Sequence, residues 1–244
     1  MAQRLPSAAV LVLHGGRETG AVPPPPGPLN LPGVRMLPFV RAVRRAAGAP
    51  DGDVLVRRVR YAHRGWNGGR ADPLHDAVTA LDALREEAGD VPVVLLGHSM
   101  GARAALRAAG HPLVRGVVGL APWCPPGDPV TQLAGRDVVL LHGNRDRTTS
   151  PQATQSLTAR ARRAGARTCM VTVRGGDHAM IRRAPAWHRL TAGLVAGLLG
   201  TRSLPGPVDE ALRLPPTAEA TLGTLDLDRL GARPHGGPAP AGRR

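Results

Sequence analysis

The chain has 244 residues, of which 42% are hydrophobic, so it is long enough to form one sizeable domain with an apolar core. Its formal net charge is +14, and all 32 basic residues are Arg, since Lys is absent. Together with many Gly and Pro residues, this bias is typical of GC-rich coding and does not by itself indicate an anionic partner. Aromatic residues make up only 2% of the chain and no nucleic-acid motif occurs, so we predict no nucleic-acid partner.

The cysteines and the apolar runs indicate the cellular compartment. Cys124 and Cys169 are too few for a disulfide framework and are expected to be reduced. The apolar stretch 8–13 is too short for the core of a signal peptide, and no run approaches membrane-spanning length. We therefore predict a soluble, cytoplasmic protein with no membrane partner.

Patterns typical of strands and helices alternate along the chain. Apolar runs of the kind buried on both faces of a parallel sheet predict strands at 8–13, 53–61, 91–96, 116–120, 137–141 and 168–173. Helical spacing and capping residues predict helices at 36–47, 72–88, 102–109, 150–164 and 187–199. The alternation predicts an α/β fold: a doubly wound, mainly parallel sheet of about six strands with helices on both faces.

The composition changes near residue 201, after which Pro, Gly and Ala dominate. We divide the chain into a folded domain, residues 1–200, and a C-terminal tail, residues 201–244. The tail is expected to be largely disordered or loosely docked, and 217–230 has the spacing of a short amphipathic helix.

The most specific motif is Gly97-His98-Ser99-Met100-Gly101, which lies between an apolar run and an Ala-rich segment. A strand, G-x-S-x-G and a helix in this order are typical of a nucleophile elbow. The tight turn exposes the Ser99 hydroxyl at a helix N-terminus, whose amides point toward developing negative charge. The two glycines are needed because side chains there would collide with the neighbouring strand or helix. We interpret His98, and also His142, as structural residues.

A serine hydroxyl needs a base that takes its proton, and an imidazole base needs a carboxylate that orients it. His178 is the predicted base, because its Gly-Gly-Asp-His turn follows the last strand and can direct the ring across the sheet edge. Asp146 is the predicted acid, because it follows the penultimate strand. Asp177 and Asp128 are the rival carboxylates. The order Ser, Asp, His along the chain agrees with this architecture.

The tetrahedral oxyanion needs two preorganised N–H donors. The amide of Met100 is one candidate, and the loop after the first strand supplies the other, at Gly16 or Arg17. Residues that follow strands at the same edge are possible pocket-lining residues: His14, Gly15, Arg17, Arg64, Trp66 and Trp123. The two tryptophans fit the core equally well.

In their order and spacing, these residues resemble the α/β-hydrolase superfamily over about residues 7–199. The resemblance is carried by His14-Gly15-Gly16, Gly97-His98-Ser99-Met100-Gly101, His142-Gly143 with Asp146, and Asp177-His178. It implies Ser99 as nucleophile, Asp146 as acid and His178 as base. It also implies hydrolysis of a small-molecule ester, thioester or amide without a metal or an organic cofactor. The chain is similar to small, lidless serine hydrolases with the composition of actinobacterial proteins.

Some features depart from the superfamily pattern. Two leading strands are expected to be missing, and the segment between Trp123 and Arg136 is too short for a helical lid. We therefore predict an open cleft that the Pro-rich loop 20–32 partly covers. Arginines between 160 and 189 form a basic rim suited to anionic substrates. A carboxylesterase or thioesterase is the leading prediction; a peptidase or amidase on the same triad, and a ligand-binding sensor that keeps the fold, are the alternatives.

Overall fold

A computed structural model of the protein describes residues 5–47 and 54–230. They form one parallel sheet with the strand order β2-β1-β3-β4-β5-β6-β7. The strands are β1 (Ala8–Leu13), β2 (Val54–Arg58), β3 (Val93–His98), β4 (Val114–Leu120), β5 (Asp137–Gly143), β6 (Arg167–Val173) and β7 (Thr224–Asp226). The predicted doubly wound α/β fold is confirmed.

Helices cover both faces of the sheet. They are α1 (Leu31–Arg35), α2 (Leu37–Ala47), α3 (Asp72–Ala88), α4 (Met100–Ala108), α5 (Pro151–Arg163), α6 (Ala184–Leu198) and α7 (Gly206–Leu212). Helices α3, α4 and α5 share one buried apolar cluster with the sheet, and α2, α6 and α7 share the other. The inner strands are buried on both faces, which explains why their sequences are continuous apolar runs.

The sheet has seven strands rather than the predicted six. Strand β7 has only three residues and no apolar run, so no sequence pattern indicates it; it forms because the open edge of β6 supplies backbone partners. The predicted helix at 217–230 is wrong, since this stretch contains turns, β7 and a 3₁₀ turn at Leu227–Arg229. Residues 201–230 thus carry α7 and β7 against the domain, and 231–244 lie outside the described residues.

The predicted helix at 36–47 is confirmed as α2, and a short helix that the sequence analysis did not predict, α1, precedes it. Pro32 and Pro38 each lie in a first helical turn, where a missing N–H costs no hydrogen bond. Residues 48–53, which include the expected start of the second strand at Asp53, lie outside the described residues. Residues 121–136 carry a single 3₁₀ turn and no helical lid.

The candidate site residues follow the carboxyl ends of neighbouring strands. The His14-Gly15-Gly16 loop follows β1, Ser99 follows β3, Asp146 follows β5 and His178 follows β6. In a parallel sheet these ends meet at one edge, which is where ligands bind in open α/β folds. The topology therefore brings the candidates together.

Candidate active site

Ser99 connects β3 to α4 in a sharp turn. Its backbone has φ 52° and ψ −118°, a left-handed conformation that costs a non-glycine residue strain. The flanking glycines permit the turn, as the motif predicted: a Cβ at Gly97 would lie 2.5 Å from the Cα of Ala102, and a Cβ at Gly101 would lie 2.4 Å from the Leu13 carbonyl oxygen. The elbow thus holds the serine hydroxyl at the start of α4.

The structure brings Ser99, His178 and Asp146 into one hydrogen-bonded row. The distance from Ser99 Oγ to His178 Nε2 is 3.1 Å, and the distance from His178 Nδ1 to Asp146 Oδ2 is 2.8 Å. An ionised carboxylate can only accept, so Nδ1–H of His178 donates to Asp146 and its Nε2 accepts from the serine hydroxyl. The Asp146 side chain is fully buried, whereas the His178 side chain is 19% exposed. This arrangement has the geometry of a nucleophile, a base and an orienting acid.

Asp146 accepts several hydrogen bonds besides the one from His178. Burial alone would raise the pKa of Asp146, but donors from His142 and His178, and the amides of Thr149 and Thr148, hold this pKa well below its ordinary value. The carboxylate is therefore ionised at neutral pH and suited to stabilise a positively charged imidazole beside it.

The rival carboxylates have other partners. Asp128 forms a two-pronged ion pair with Arg103, at 2.7 and 2.8 Å. Asp177 accepts from the amide of Ile181 at 3.0 Å and so closes its own turn. Neither carboxylate is hydrogen-bonded to His178.

His98, interpreted from the sequence as a packing residue, also contacts the triad loop. Its Nε2–H donates to the carbonyl of His178 at 3.0 Å, and the two rings lie 5.0 Å apart. Burial, followed by the charge of His178, lowers the pKa of His98 to about 3, so this ring is neutral. Two neighbouring residues of the elbow therefore contact His178: His98 binds its main-chain carbonyl, and Ser99 is hydrogen-bonded to its ring.

The amides of Gly16 and Met100 are the remaining candidate oxyanion donors. Neither donates to another group within the described part of the chain. A Cβ at Gly16 would lie 2.6 Å from the Arg64 carbonyl oxygen, which belongs to the backbone and cannot move aside, so only glycine fits here. The Arg17 amide donates instead to the Arg64 carbonyl at 3.0 Å, and Arg17 is thereby removed as the alternative donor.

His14 and Gly15 lie beside the elbow. A Cβ at Gly15 would lie 3.5 Å from the Cβ of Ser99. His14 lines a cavity of about 1490 Å³ whose wall includes the Pro-rich residues 23–28 and Tyr61. The Tyr61 hydroxyl donates to the His14 carbonyl at 3.1 Å. The lining of this cavity thus includes His14 but none of Ser99, Asp146 and His178.

The tryptophans expected as core or pocket residues lie around Arg103. The guanidinium of Arg103 stacks on Trp66 at 3.9 Å and on Trp123 at 4.4 Å. Trp66 is only 3% exposed, so it is a core residue and not a pocket-lining one. Trp123 is half-buried, and its amide donates to the Ser99 carbonyl at 3.3 Å. Arg64 packs its side chain close to Gly20, on the Pro-rich loop.

Two residues near Asp146 were missed as parts of the site. His142 Nε2 lies 3.1 Å from Asp146 Oδ2, and the Thr149 hydroxyl donates to the same oxygen at 2.9 Å. His142 was interpreted as structural only. Its position in the sequence could have indicated a role in the site, because His142 follows a predicted strand and precedes Asp146 by four residues.

Further properties of the described residues concern cysteines, membranes and metals. Cys124 and Cys169 are buried free thiols, and burial raises the pKa of each to about 12.

Within 5–47 and 54–230, no helix combines the length and apolar character that a bilayer crossing requires. The same residues contain no group of three or more His, Cys, Asp or Glu side chains arranged to hold a metal ion.

Comparison with known proteins identifies the fold. A family model described as serine aminopeptidase, S33, matches residues 60–136, which include the elbow but neither Asp146 nor His178. No curated protein matches the chain significantly in sequence.

Solved structures of α/β-hydrolases superpose on most of the chain. A protein of unknown function from Agrobacterium tumefaciens, described as a candidate α/β-hydrolase, has a TM-score of 0.60 and 16% identity, covering 84% of this chain and 92% of its own. Est1E from Butyrivibrio proteoclasticus with ferulic acid bound has a TM-score of 0.57 and 10% identity, covering 81% and 92%. A lidless α/β serine hydrolase from Xanthomonas campestris has a TM-score of 0.54 and 18% identity, covering 81% and 83%. These likenesses confirm the predicted fold: the chain has the α/β-hydrolase fold.

Proposed function

We propose that this protein is a serine hydrolase that cleaves carboxylic esters or thioesters through an acyl-enzyme intermediate. The observation that carries the proposal is the row of hydrogen bonds from Ser99 Oγ to His178 Nε2, at 3.1 Å, and from His178 Nδ1 to Asp146, at 2.8 Å. These groups follow three different strands, and such a convergence at the carboxyl edge of a sheet is hard to explain by structural need alone.

In the proposed reaction, His178 takes the proton of Ser99 while the serine oxygen attacks the acyl carbon. The imidazolium then gives this proton to the leaving alcohol or thiol, and afterwards activates the water that releases the acid. Asp146 keeps the imidazole in the required tautomer and stabilises its positive form. General base catalysis of this kind supplies about 10²–10⁴-fold in rate.

The amides of Met100 and Gly16 are the proposed donors to the oxyanion. Met100 opens α4, so its N–H lies at the positive end of the helix dipole. Gly16 lies on the adjacent loop, against the Met100 side chain. Loss of one such donor typically costs about 10²–10³-fold in kcat.

Two observations favour an ester or thioester substrate. The fold neighbours include Est1E and an esterase from Pyrobaculum calidifontis. The absence of a lid in 121–136 leaves the carboxyl edge of the sheet open to small substrates.

A peptidase acting through the same triad is the second candidate. The observation that favours it is the match of residues 60–136 to the serine aminopeptidase family. The same three residues would then act on an amide, whose poorer leaving group places a greater demand on protonation by His178.

Labelling with a fluorophosphonate probe tests the proposed nucleophile. The protein is expected to be labelled at neutral pH, and Ser99→Ala is expected to abolish the label. Ser156→Ala, which changes an exposed serine on α5, is the matched control and should label like the parent protein. Labelling that survives Ser99→Ala, or no labelling of the intact protein, would refute the proposal and favour the sensor alternative.

A substrate panel distinguishes the candidate reactions. We expect hydrolysis of p-nitrophenyl esters of short to medium chain length and of matched acyl thioesters, with little release of p-nitroaniline from aminoacyl anilides. Faster turnover of the anilides than of the esters would instead identify a peptidase.

A further inference from the structure

His142 is a fully buried histidine on the side of Asp146 away from the serine. It is the penultimate residue of β5, and its side chain is wholly inaccessible to solvent. Its Nε2 lies 3.1 Å from Asp146 Oδ2, and its Nδ1 lies 2.8 Å from the hydroxyl of Thr154 on α5. The ring thus joins the carboxylate of the triad to a helix that packs on the sheet.

The chemistry of its partners determines the tautomer of His142. The ionised carboxylate of Asp146 can only accept, so Nε2 of His142 must carry the proton. Nδ1 of the neutral ring then accepts from the Thr154 hydroxyl, whose alternative acceptor, the Ser150 carbonyl, is farther away at 3.4 Å. The ring therefore donates to the acid on one side and is held by the helix on the other.

The carboxylate of Asp146 is surrounded by donors. Oδ1 accepts from the amides of Thr148 and Thr149, at 2.8 and 2.9 Å. Oδ2 accepts from His178 at 2.8 Å, from the Thr149 hydroxyl at 2.9 Å and from His142 at 3.1 Å. Two imidazoles thus share one carboxylate oxygen, with a hydroxyl between them.

We infer that His142 is a positioning residue of the triad, a second imidazole that orients the Asp146 carboxylate and withdraws negative charge from it. This role rests on the proposed function. Its donated hydrogen bond competes with that of His178 for Oδ2, so it moderates how strongly Asp146 stabilises the imidazolium form of His178.

Few charged or titratable groups surround His142. Asp146 faces it directly, and His178 faces it through that carboxylate. On α5, the Thr154 hydroxyl separates the ring from the Cys124 thiol, 3.9 Å further on, and burial keeps this thiol protonated. Its register partner on β6 is Thr172, which is uncharged. A change in the charge balance after substitution of His142 would therefore act through Asp146.

Paired substitutions separate the two ring nitrogens. His142→Gln keeps an amide N–H near the position of Nε2 and so retains a donor to Asp146, whereas His142→Asn keeps a polar group only near Nδ1. With an ester substrate, His142→Asn should lower kcat about 10-fold with little change in KM, because the Asp146 carboxylate loses a donor that orients it toward His178. It should also move the acid limb of the pH–rate profile upward by roughly 0.5–1 pH unit, since the carboxylate then holds the His178 imidazolium more strongly. His142→Gln should stay close to the parent protein in both respects.

The outcomes distinguish positioning from packing. The inference is overturned if His142→Asn has the parent kcat and pH profile. It is equally overturned if both variants lose activity to the same degree with an unmoved acid limb, because a packing defect has that result.

Histidine nitrogen NMR of the parent protein tests the hydrogen bond without turnover. A ¹⁵N-labelled sample is expected to contain a buried histidine in the Nε2–H form whose signal disappears in both variants. An Nδ1–H form at this position would overturn the inference even if the variants do not fold. A parent protein that lacks esterase activity but has the Nε2–H form would contradict the proposed function and not the hydrogen bond.

Discussion

Three of the six non-glycine residues that have a positive φ in the described part of the chain lie around the candidate site. Ser99, Ala121 and Met180 have φ values of 52°, 43° and 56°, in the region that disfavours side chains. Ser99 carries the hydroxyl, the Ala121 carbonyl lies 3.3 Å from the Thr149 hydroxyl, and Met180 follows His178 by two residues. Each such residue costs about 1–3 kcal/mol and persists only where its surroundings hold it. Ser99, Ala121 and Met180 thus lie beside the elements that hold the triad.

Substitution of Asp146 should affect both activity and the acid dependence of stability. Asp146→Asn removes the charge that stabilises the imidazolium, so kcat/KM should fall about 10³–10⁴-fold. Because the folded-state pKa of Asp146 is depressed, its contribution to stability is present above the ordinary carboxyl pKa of about 4 and is lost as the pH falls below it. Urea unfolding should therefore show a large deficit for Asp146→Asn at pH 7 that shrinks at pH 3.

Asp177→Asn is the matched control for this experiment. Asp177 is the residue before His178, but its carboxylate caps a turn. This variant should retain most of the activity. An Asp146→Asn protein whose stability deficit is the same at both pH values would contradict the depressed pKa of Asp146. A larger loss of activity in Asp177→Asn than in Asp146→Asn would identify Asp177, and not Asp146, as the acid that orients His178.

At the scale of elements, the segment before β7 covers a buried cation on α5. Arg162 is 1% exposed, and its Nη2–H donates to the Thr168 carbonyl at 2.6 Å. A Cβ at Gly223 would lie 1.9 Å from this nitrogen, so the segment fits closely over the guanidinium. Within the described residues, no carboxylate pairs with Arg162, and its Nε and Nη1 lack partners. Burial lowers the pKa of this guanidinium, which reflects the cost of enclosing its charge.

Replacement of this cation by an apolar side chain should stabilise the protein. Arg162→Met keeps much of the volume and removes an unpaired buried charge, so the free energy of unfolding should rise by about 1–3 kcal/mol in urea titrations. Arg163→Met changes the exposed neighbour and should have an effect near zero. If Arg162→Met loses stability while Arg163→Met does not, the Arg162 guanidinium must have favourable hydrogen-bond partners besides the Thr168 carbonyl.

At the scale of the whole molecule, the dominant property is the net charge of +14. A field of this sign attracts anionic substrates and accelerates their encounter with the proposed active site, while leaving neutral substrates unaffected. For an anionic ester such as p-nitrophenyl hemisuccinate, kcat/KM should fall about 10-fold between about 10 mM and about 1 M NaCl, because the Debye length shortens from about 30 Å to about 3 Å.

p-Nitrophenyl acetate is the neutral control for this effect. Its kcat/KM should change little over the same range of salt. If both esters respond equally, the salt acts on the enzyme itself and long-range attraction is not involved.

Much of the element order could be predicted because the inner strands are buried on both faces and their sequences are continuous apolar runs. The runs at 8–13 and 168–173 differ from β1 and β6 by at most one residue. Strand β7 could not be predicted, since three residues have no periodicity and depend on the edge of β6. The short helix α1 could not be predicted, because it lies at the end of a Pro-rich stretch that is not typical of helices.

By itself, the sequence determined the elbow, the candidate acid and base, and the α/β order. A tight turn requires glycines at fixed positions, and strands that are buried on both faces require continuous apolar runs, so both features can be recognised from neighbouring residues. Position along the chain favours Asp146 over the rivals Asp128 and Asp177, but only the tertiary structure decided that the Asp146 carboxylate meets His178. It also decided that Trp66 lies in the core and that His142 shares Asp146 with His178. Hydrogen bonds between residues that follow different strands depend on how those strands are arranged in space. This arrangement cannot be inferred from the spacing of residues along the sequence.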